Sequence, residues 1–194
     1  MKVFLIRHAE SAANAGAATS DPMSISITEN GRMQAIRLAN EFNDKPDLII
    51  VSAYLRTIQT AAPLTRKFLR AKVETWPLHE FTYLSPAQCL NTTSLERLPL
   101  VKEYWDKCDP DFVHGAGAES FNQFSNRITE CIERLRQLDN FCVVIFTHSL
   151  VMKLLKQCMT MEVSAATSMR HFRDKMLEFP IKNTEAFEMK LIKT

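Results

Sequence analysis

Lys2-Val-Phe-Leu-Ile-Arg-His8 is a short apolar run, rich in branched side chains, that breaks directly into a guanidinium and an imidazole. Phe141-Cys-Val-Val-Ile-Phe-Thr-His148 repeats the pattern far along the chain. Each run has strand length and strand composition, and a continuous apolar run fits a strand buried on both faces. The second is the most apolar segment of the chain and is expected to be a central strand. Polar residues cannot continue into a dry sheet interior, so both histidines are expected at strand ends.

Outward from these two runs the rhythm is strand and helix in alternation. Asp47–Val51 reads as a second strand and Lys72–Trp76 as a third. A helix is expected from Glu29 to Phe42, with Ser26 and Glu29 at capping-box spacing and Ala35, Ile36, Ala39 and Phe42 inward. Another is expected from Tyr54 to Leu69, with Leu55, Ile58, Ala62, Thr65 and Leu69 on one face. The clearest helix is Glu119–Leu138, where Phe121, Phe124, Ile128, Cys131, Leu135 and Leu138 keep three-to-four spacing. Leu150–Cys158 is a further helix. The tail offers two strand candidates, Lys175–Phe179 and Ala186–Ile192. Alternation of this kind indicates an α/β layer fold with helices on both faces of the sheet. Between Leu78 and Gly117 the rhythm breaks, and a helix near Leu95–Cys108 is expected to be interrupted by Pro99. This stretch is read as an excursion over one end of the sheet, within a single domain spanning 1–194.

Composition narrows the function. Among 194 residues, 24 are Lys or Arg and 22 are Asp or Glu, a net charge of 24 − 22 = +2. No basic excess points to nucleic acid. The longest wholly apolar run, Phe141–Phe146, has six residues, against about 20 for a membrane span. The five cysteines have no CxxC spacing, and Cys131, Cys142 and Cys158 fall in patterned segments as small buried hydrophobes. A reducing, cytoplasmic setting is expected.

In an open α/β sheet, ligands gather beyond the C-terminal strand ends. Four segments offer Arg7, His8, Arg56, Glu80 and His148 there. Guanidinium groups bind phosphate oxygens, often bidentately. A neutral imidazole can accept a phosphoryl group covalently, and a carboxylic acid can protonate the leaving oxygen. Metal binding by the histidines and a carboxylate is the rival reading, countered by the lack of HExxH and of a tight ligand cluster. Neither serine near a histidine sits in a GxSxG elbow. Glu74 and Glu119 compete with Glu80 for the role of acid. Glu10 is read as holding the pocket arginines, and His79, His114 and His171 as solvated or packing residues, with contact between His114 and substrate as the lesser alternative.

Arg7-His8-Ala9-Glu10, with Asn14 beyond it, resembles the Arg-His-Gly-Glu motif of the histidine phosphatase superfamily, the phosphoglycerate-mutase-like proteins. Thr28-Glu-Asn-Gly31 and Gln34-Ala35 resemble that family's first helix. Ser52 with Arg56-Thr-Ile-Gln-Thr-Ala61, Leu78-His-Glu80, Gly117-Ala-Glu-Ser120 and Val144-Ile-Phe-Thr-His148 resemble its later motifs, in order. The resemblance implies a three-layer α/β/α sandwich with a mixed, mostly parallel sheet. It implies His8 as the phosphorylated nucleophile, Arg7, Arg56 and His148 as the phosphate pocket, Glu80 as proton donor and Asn14 as a polar substrate contact. The implied activity is hydrolysis of a phosphorylated small molecule or phosphoprotein. The alternatives are a phosphoglycerate mutase-type transferase and a non-catalytic phosphate binder. No metal or other cofactor is expected, because the arginines already neutralise the phosphate. Ala9 and Ser149 depart from the family's glycines, where a side chain can tighten the pocket. Neither removes a charge or the nucleophile, so activity is expected to survive, and the two are the sequence support for the non-catalytic alternative.

Overall fold

The computed structural model describes residues 1–139, 142–160, 169–178 and 180–191. Its sheet is built from Lys2–Arg7 (β1), Leu48–Val51 (β2), Lys72–Thr75 (β3), Cys142–Thr147 (β4) and Ala186–Lys190 (β5). The strand order is β3-β2-β4-β1-β5. All pairings are parallel except that of β5 with β1. β4 is central and buried at every position, as its unbroken apolar run requires.

Side chains alternate across the strands and so feed two cores. Val3, Leu5, Leu48, Ile50, Val143 and Ile145 face the helices Phe121–Arg136 (α4), Ser149–Thr160 (α5) and Met169–Glu178 (α6). Phe4, Ile6, Ile49, Val51, Val144 and Phe146 face Glu29–Glu41 (α1) and Leu55–Lys67 (α2). Helices therefore cover both faces, giving the expected α/β/α sandwich. The excursion adds a 3-10 turn, Pro86–Cys89, and the helix Leu98–Lys107 (α3). Its Phe81, Tyr104 and Trp105 join the α4 side of the core. No helix among the described residues is long and apolar enough to cross a membrane.

Five local expectations are corrected. α1 is capped by Thr28, whose side chain accepts from the Gly31 N–H, rather than by Ser26. Ile36 points outward at 44% exposure. On α2 the buried stripe is Thr57, Thr60, Ala61 and Leu64, while Ile58 and Leu69 are 44% and 85% exposed. The threonines hide their hydroxyls on backbone carbonyls, Thr57 on Tyr54 at 2.7 Å and Thr60 on Arg56 at 2.6 Å. A buried face written in threonine escapes a hydrophobic count. Pro99 lies in the first turn of α3, where its missing N–H costs no helical bond, so it opens the helix instead of interrupting it. Lys175–Glu178 belongs to α6 rather than to a strand. Phe141, Phe179 and Ile192 lie outside the described residues.

Candidate active site

Register assembles the site. β1 pairs with β4 so that Arg7 lies opposite Thr147, which sets His8 beside His148 one step beyond the paired residues. Their ring centroids are 5.2 Å apart. β2 ends alongside at Val51, opposite Phe146, bringing Ser52 to the same level.

His8 is only 5% exposed, yet it lines a cavity of about 300 Å³. Its Nδ1 is 2.8 Å from the Ala9 carbonyl, and its Nε2 is 3.2 Å from Arg56 Nε. A carbonyl can only accept and a guanidinium N–H can only donate, so the proton sits on Nδ1 and the lone pair on Nε2. Burial, reinforced by the Arg56 charge, pushes the ring pKa down to about 3. His8 is therefore a neutral imidazole whose basic nitrogen faces a cation.

Arg7 and Arg56 line the same cavity. Arg7 is held by the Ile181 carbonyl at 2.5 Å, and its Nε is buried with no hydrogen-bond partner. Arg56 also donates to the Pro22 carbonyl at 2.7 Å, and its guanidinium lies 4.8 Å from the centre of the Tyr54 ring. Neither arginine is in an ion pair among the described residues. Two cations with no carboxylate in hydrogen-bond contact, beside a neutral imidazole, form an anion cradle.

Glu80 completes the lining. Its carboxylate accepts from the Phe81 N–H at 3.1 Å and from the Leu150 N–H in the first turn of α5 at 3.2 Å. Burial nevertheless raises its pKa, outweighing those donors and the two arginines. A carboxyl pushed toward its protonated form is suited to giving a proton. Glu74 is occupied at the surface by Lys72, Trp76 and Arg134. Glu119 pairs with Arg127 at 2.6 Å, and Arg127 also donates to the Pro77 and His79 carbonyls at 2.5 and 3.2 Å. That arginine braces the segment leading into Glu80.

His148 departs from expectation. It is 0% exposed and is not among the cavity-lining residues. It follows the fully buried central strand, and its carbonyl accepts the Met152 N–H of α5, so the backbone holds it in the interior. Its Nε2 lies 2.8 Å from Ser52 Oγ, and its Nδ1 is buried without a partner. Burial lowers its pKa well below the usual histidine value.

Asn14 does line the cavity, where its Oδ1 accepts from the Ser11 N–H at 3.2 Å and from Asn183 Nδ2 at 3.1 Å. Glu10 does not hold the arginines; it accepts from Thr28 Oγ1 at 2.6 Å and Asn30 Nδ2 at 3.0 Å. His114 lies outside the cavity lining, and its Nδ1 accepts the Ser85 N–H at 3.3 Å. Ala9 and Ser149 are also outside the lining. The Ala9 methyl packs with Ile27 and Ala35 and does not narrow the pocket.

Three contributions are not foreseen from sequence, although Ser52 stands in one of the stretches that resemble family motifs. Asn183 donates to the His8 carbonyl at 2.9 Å from the turn before β5. Ser52 holds His148, and Tyr54 stacks on Arg56. Among the described residues, no group of three or more His, Cys, Asp or Glu is placed to hold a metal ion.

Residues 3–185 match the sequence profile of the histidine phosphatase superfamily, branch 1. No curated protein sequence matches the chain at a significant level. Among solved structures, the α-ribazole phosphatase from Shigella flexneri is similar at a TM-score of 0.75 and 20% identity, covering 100% of this chain and 96% of that one. Phosphoserine phosphatase from Entamoeba histolytica gives 0.71 and 20%, covering 96% and 89%. Mycobacterial glucosyl-3-phosphoglycerate phosphatase gives 0.70 and 18%, covering 96% and 88%. At these identities the likeness establishes the fold.

Proposed function

The chain belongs to the histidine phosphatase superfamily, and on that premise we propose that it hydrolyses phosphomonoesters through a phosphohistidine on His8, without a metal. The observation that carries this reading is the state of His8: neutral, with Nε2 unprotonated, in a cavity that also holds Arg7, Arg56 and Glu80. The phosphoryl dianion enters between the two arginines and draws Arg56 away from Nε2. The Nε2 lone pair then forms a bond to phosphorus as the ester P–O bond breaks. Glu80 gives its proton to the departing oxygen.

The phosphorylated ring is cationic, and the Ala9 carbonyl, already paired with the Nδ1 proton, stabilises that charge. Water attacks phosphorus next, Glu80 takes the water proton, the N–P bond breaks and inorganic phosphate leaves. His148 packs beside the nucleophile, with the ring centroids 5.2 Å apart. Its own Nδ1 is buried without a partner, outside the cavity lining.

Two loops roof the cavity. The 11–27 segment meets the excursion through the Thr19–Thr92 bridge and through Ser20 Oγ donating to Asn91 Oδ1 at 2.6 Å. This favours a small phosphorylated molecule over a folded phosphoprotein. The test is a rapid-quench experiment with a ³²P-labelled ester. Acid-labile label on His8 that chases to inorganic phosphate supports the reading, and so does its loss in His8→Ala. Full turnover by His8→Ala overturns it, and chase into an isomeric ester identifies a mutase instead.

A further inference from the structure

Arg7, Arg56 and Arg97 all face the cavity, and Glu80 is the one carboxylate among the lining residues. Three arginines less one carboxylate give the lining a formal charge of 3 − 1 = +2, which one phosphate dianion would balance, but Arg97 stands in the excursion and not at the sheet ends with the other two. A phosphomonoester dianion between Arg7 and Arg56 therefore leaves Arg97 without an anion beside it.

Arg97 is the residue that opens α3, in the excursion rather than at the sheet ends. Its Nε donates to the Thr93 carbonyl at 3.1 Å, and its Nη2 to the Thr92 carbonyl and the Thr19 hydroxyl, both at 3.3 Å. These acceptors are neutral, so none of them offsets the guanidinium's charge. Arg97 takes part in no ion pair among the described residues. The neighbouring Glu96 carboxylate is outside the cavity lining and is turned onto the Thr93 N–H and hydroxyl at 2.7 and 2.8 Å. Because its partners come from both roof loops, Arg97 is held in place before any ligand arrives, which lowers the ordering cost of binding. The rest of the excursion's wall includes Tyr83, Leu84 and Val101, suited to a short carbon skeleton.

We propose that Arg97 reads a second anionic group, a carboxylate or a second phosphate, on the alcohol portion of the substrate. This rests on the hydrolase reading and narrows it to doubly anionic phosphomonoesters of small molecules.

The test is a matched series of linear alkyl phosphates of two to four carbons. Each ends in methyl, carboxylate or phosphate and is paired with a non-hydrolysable phosphonate of the same shape. Wild type, Arg97→Gln and Arg97→Lys are compared by kcat/KM on the esters and by calorimetric affinity on the phosphonates. Wild type is expected to favour at least one anionic terminus by about 10- to 100-fold, the size of a hydrogen bond to a charged group. The favoured terminus says whether carboxylate or phosphate is read. Arg97→Gln should collapse that ratio through KM, and Arg97→Lys should keep part of it. Equal treatment of all termini by wild type overturns the proposal. So does an Arg97→Gln variant that weakens all termini by one factor, since Arg97 then only ties the roof loops together. If no ester is hydrolysed while the phosphonates show the Arg97-dependent preference, the hydrolase reading fails and the anion subsite stands.

Discussion

Arg56 Nε donates to His8 Nε2 across 3.2 Å, so a permanent cation sits on the lone pair of the proposed nucleophile. Protonating that ring would place two positive charges in contact in a buried site, and the His8 pKa falls to about 3. Unfolded, the ring titrates near 6.5. Between pH 6.5 and about 3 the unfolded chain therefore binds a proton that the folded chain refuses. Stability must fall as pH is lowered through this window, with a slope of up to about 1.4 kcal/mol per pH unit for one proton. Glu80, whose folded pKa is raised, contributes with opposite sign above its unfolded value. His8→Asn retains Glu80, so the difference between variant and wild type isolates His8. Urea unfolding from pH 4 to 7 should show a shallower acid loss in His8→Asn. Parallel curves would mean that His8 is protonated in the folded state.

Removing the same cation should damage transition-state binding more than folding. Arg56 is buried, but its partners are the Pro22 carbonyl, His8 and the Tyr54 ring rather than a carboxylate. Its loss breaks no carboxylate hydrogen bond, and Arg7 still faces the buried Glu80 carboxyl, whose pKa should rise further without Arg56. Arg56→Ala is expected to lower kcat/KM by about 10²- to 10³-fold, the range for deleting one preorganised donor. Arg56→Lys should recover little, because a single ammonium cannot reach His8 and the phosphoryl oxygens as a planar fork does. Steady-state kinetics and inhibition by inorganic phosphate check both.

Glu80→Gln separates leaving-group protonation from phosphate binding. Glutamine keeps the size of the side chain and can still accept the Leu150 N–H, but it holds no transferable proton. Alkyl phosphates, with poor leaving groups, should slow by about 10²- to 10⁴-fold. A nitrophenyl phosphate, whose leaving group needs no proton, should slow far less. Wild-type kcat/KM should also fall on the alkaline side as the raised Glu80 group ionises, and that limb should vanish in the variant. Equal losses on both ester classes would transfer the acid role elsewhere.

Ser52 predicts a loss of stability. Its hydroxyl lies 2.8 Å from His148 Nε2 in a fully buried site, and the other ring nitrogen already lacks a partner. Ser52→Ala would leave both nitrogens unsatisfied. The expected cost is about 1–3 kcal/mol, the desolvation penalty of a buried polar atom without its bond. A lower urea midpoint at unchanged m-value would confirm it, and an unchanged midpoint would mean that the bond contributes nothing net.

The difference between what sequence revealed and what it concealed follows from where each signal resides. β1 and β4 were legible because an unbroken apolar run has few explanations other than a strand covered on both faces. Arg7, His8, Arg56, Glu80 and Asn14 line one cavity because strand ends and the loops after them share one edge of the sheet. His148 was placed at the correct strand end, but its depth depends on the backbone of α5, which no local pattern records. The buried face of α2 was misread because Thr57 and Thr60 satisfy their own hydroxyls. Lys175–Glu178 alternates like a strand over too few residues to distinguish it from one turn of α6. Asn183 acts across 175 positions on the His8 carbonyl, a separation at which composition carries no information.

Gly31 lies inside α1, where replacing glycine by alanine ordinarily stabilises a helix by about 1 kcal/mol. Here the sign should reverse. A Cβ at this position would stand 2.2 Å from the Glu10 carbonyl oxygen, 3.2 Å from its carbon and 3.0 Å from Ile27 Cβ. The first contact is with backbone, which cannot rotate away as a side-chain tip can. That carbonyl also accepts the Thr28 N–H at 2.9 Å, the bond that joins the helix start to the segment after β1. Displacing it would break this bond, at a cost of about 1–3 kcal/mol for overpacking a tight site, larger than the helical gain. Glu10 follows His8 by two residues, so the same displacement moves the Ala9 carbonyl that holds the His8 tautomer. Gly31→Ala should therefore lower both the melting temperature and kcat. A more stable variant with normal turnover would show that the loop after β1 yields freely, and the His8 geometry would then owe little to its packing against α1.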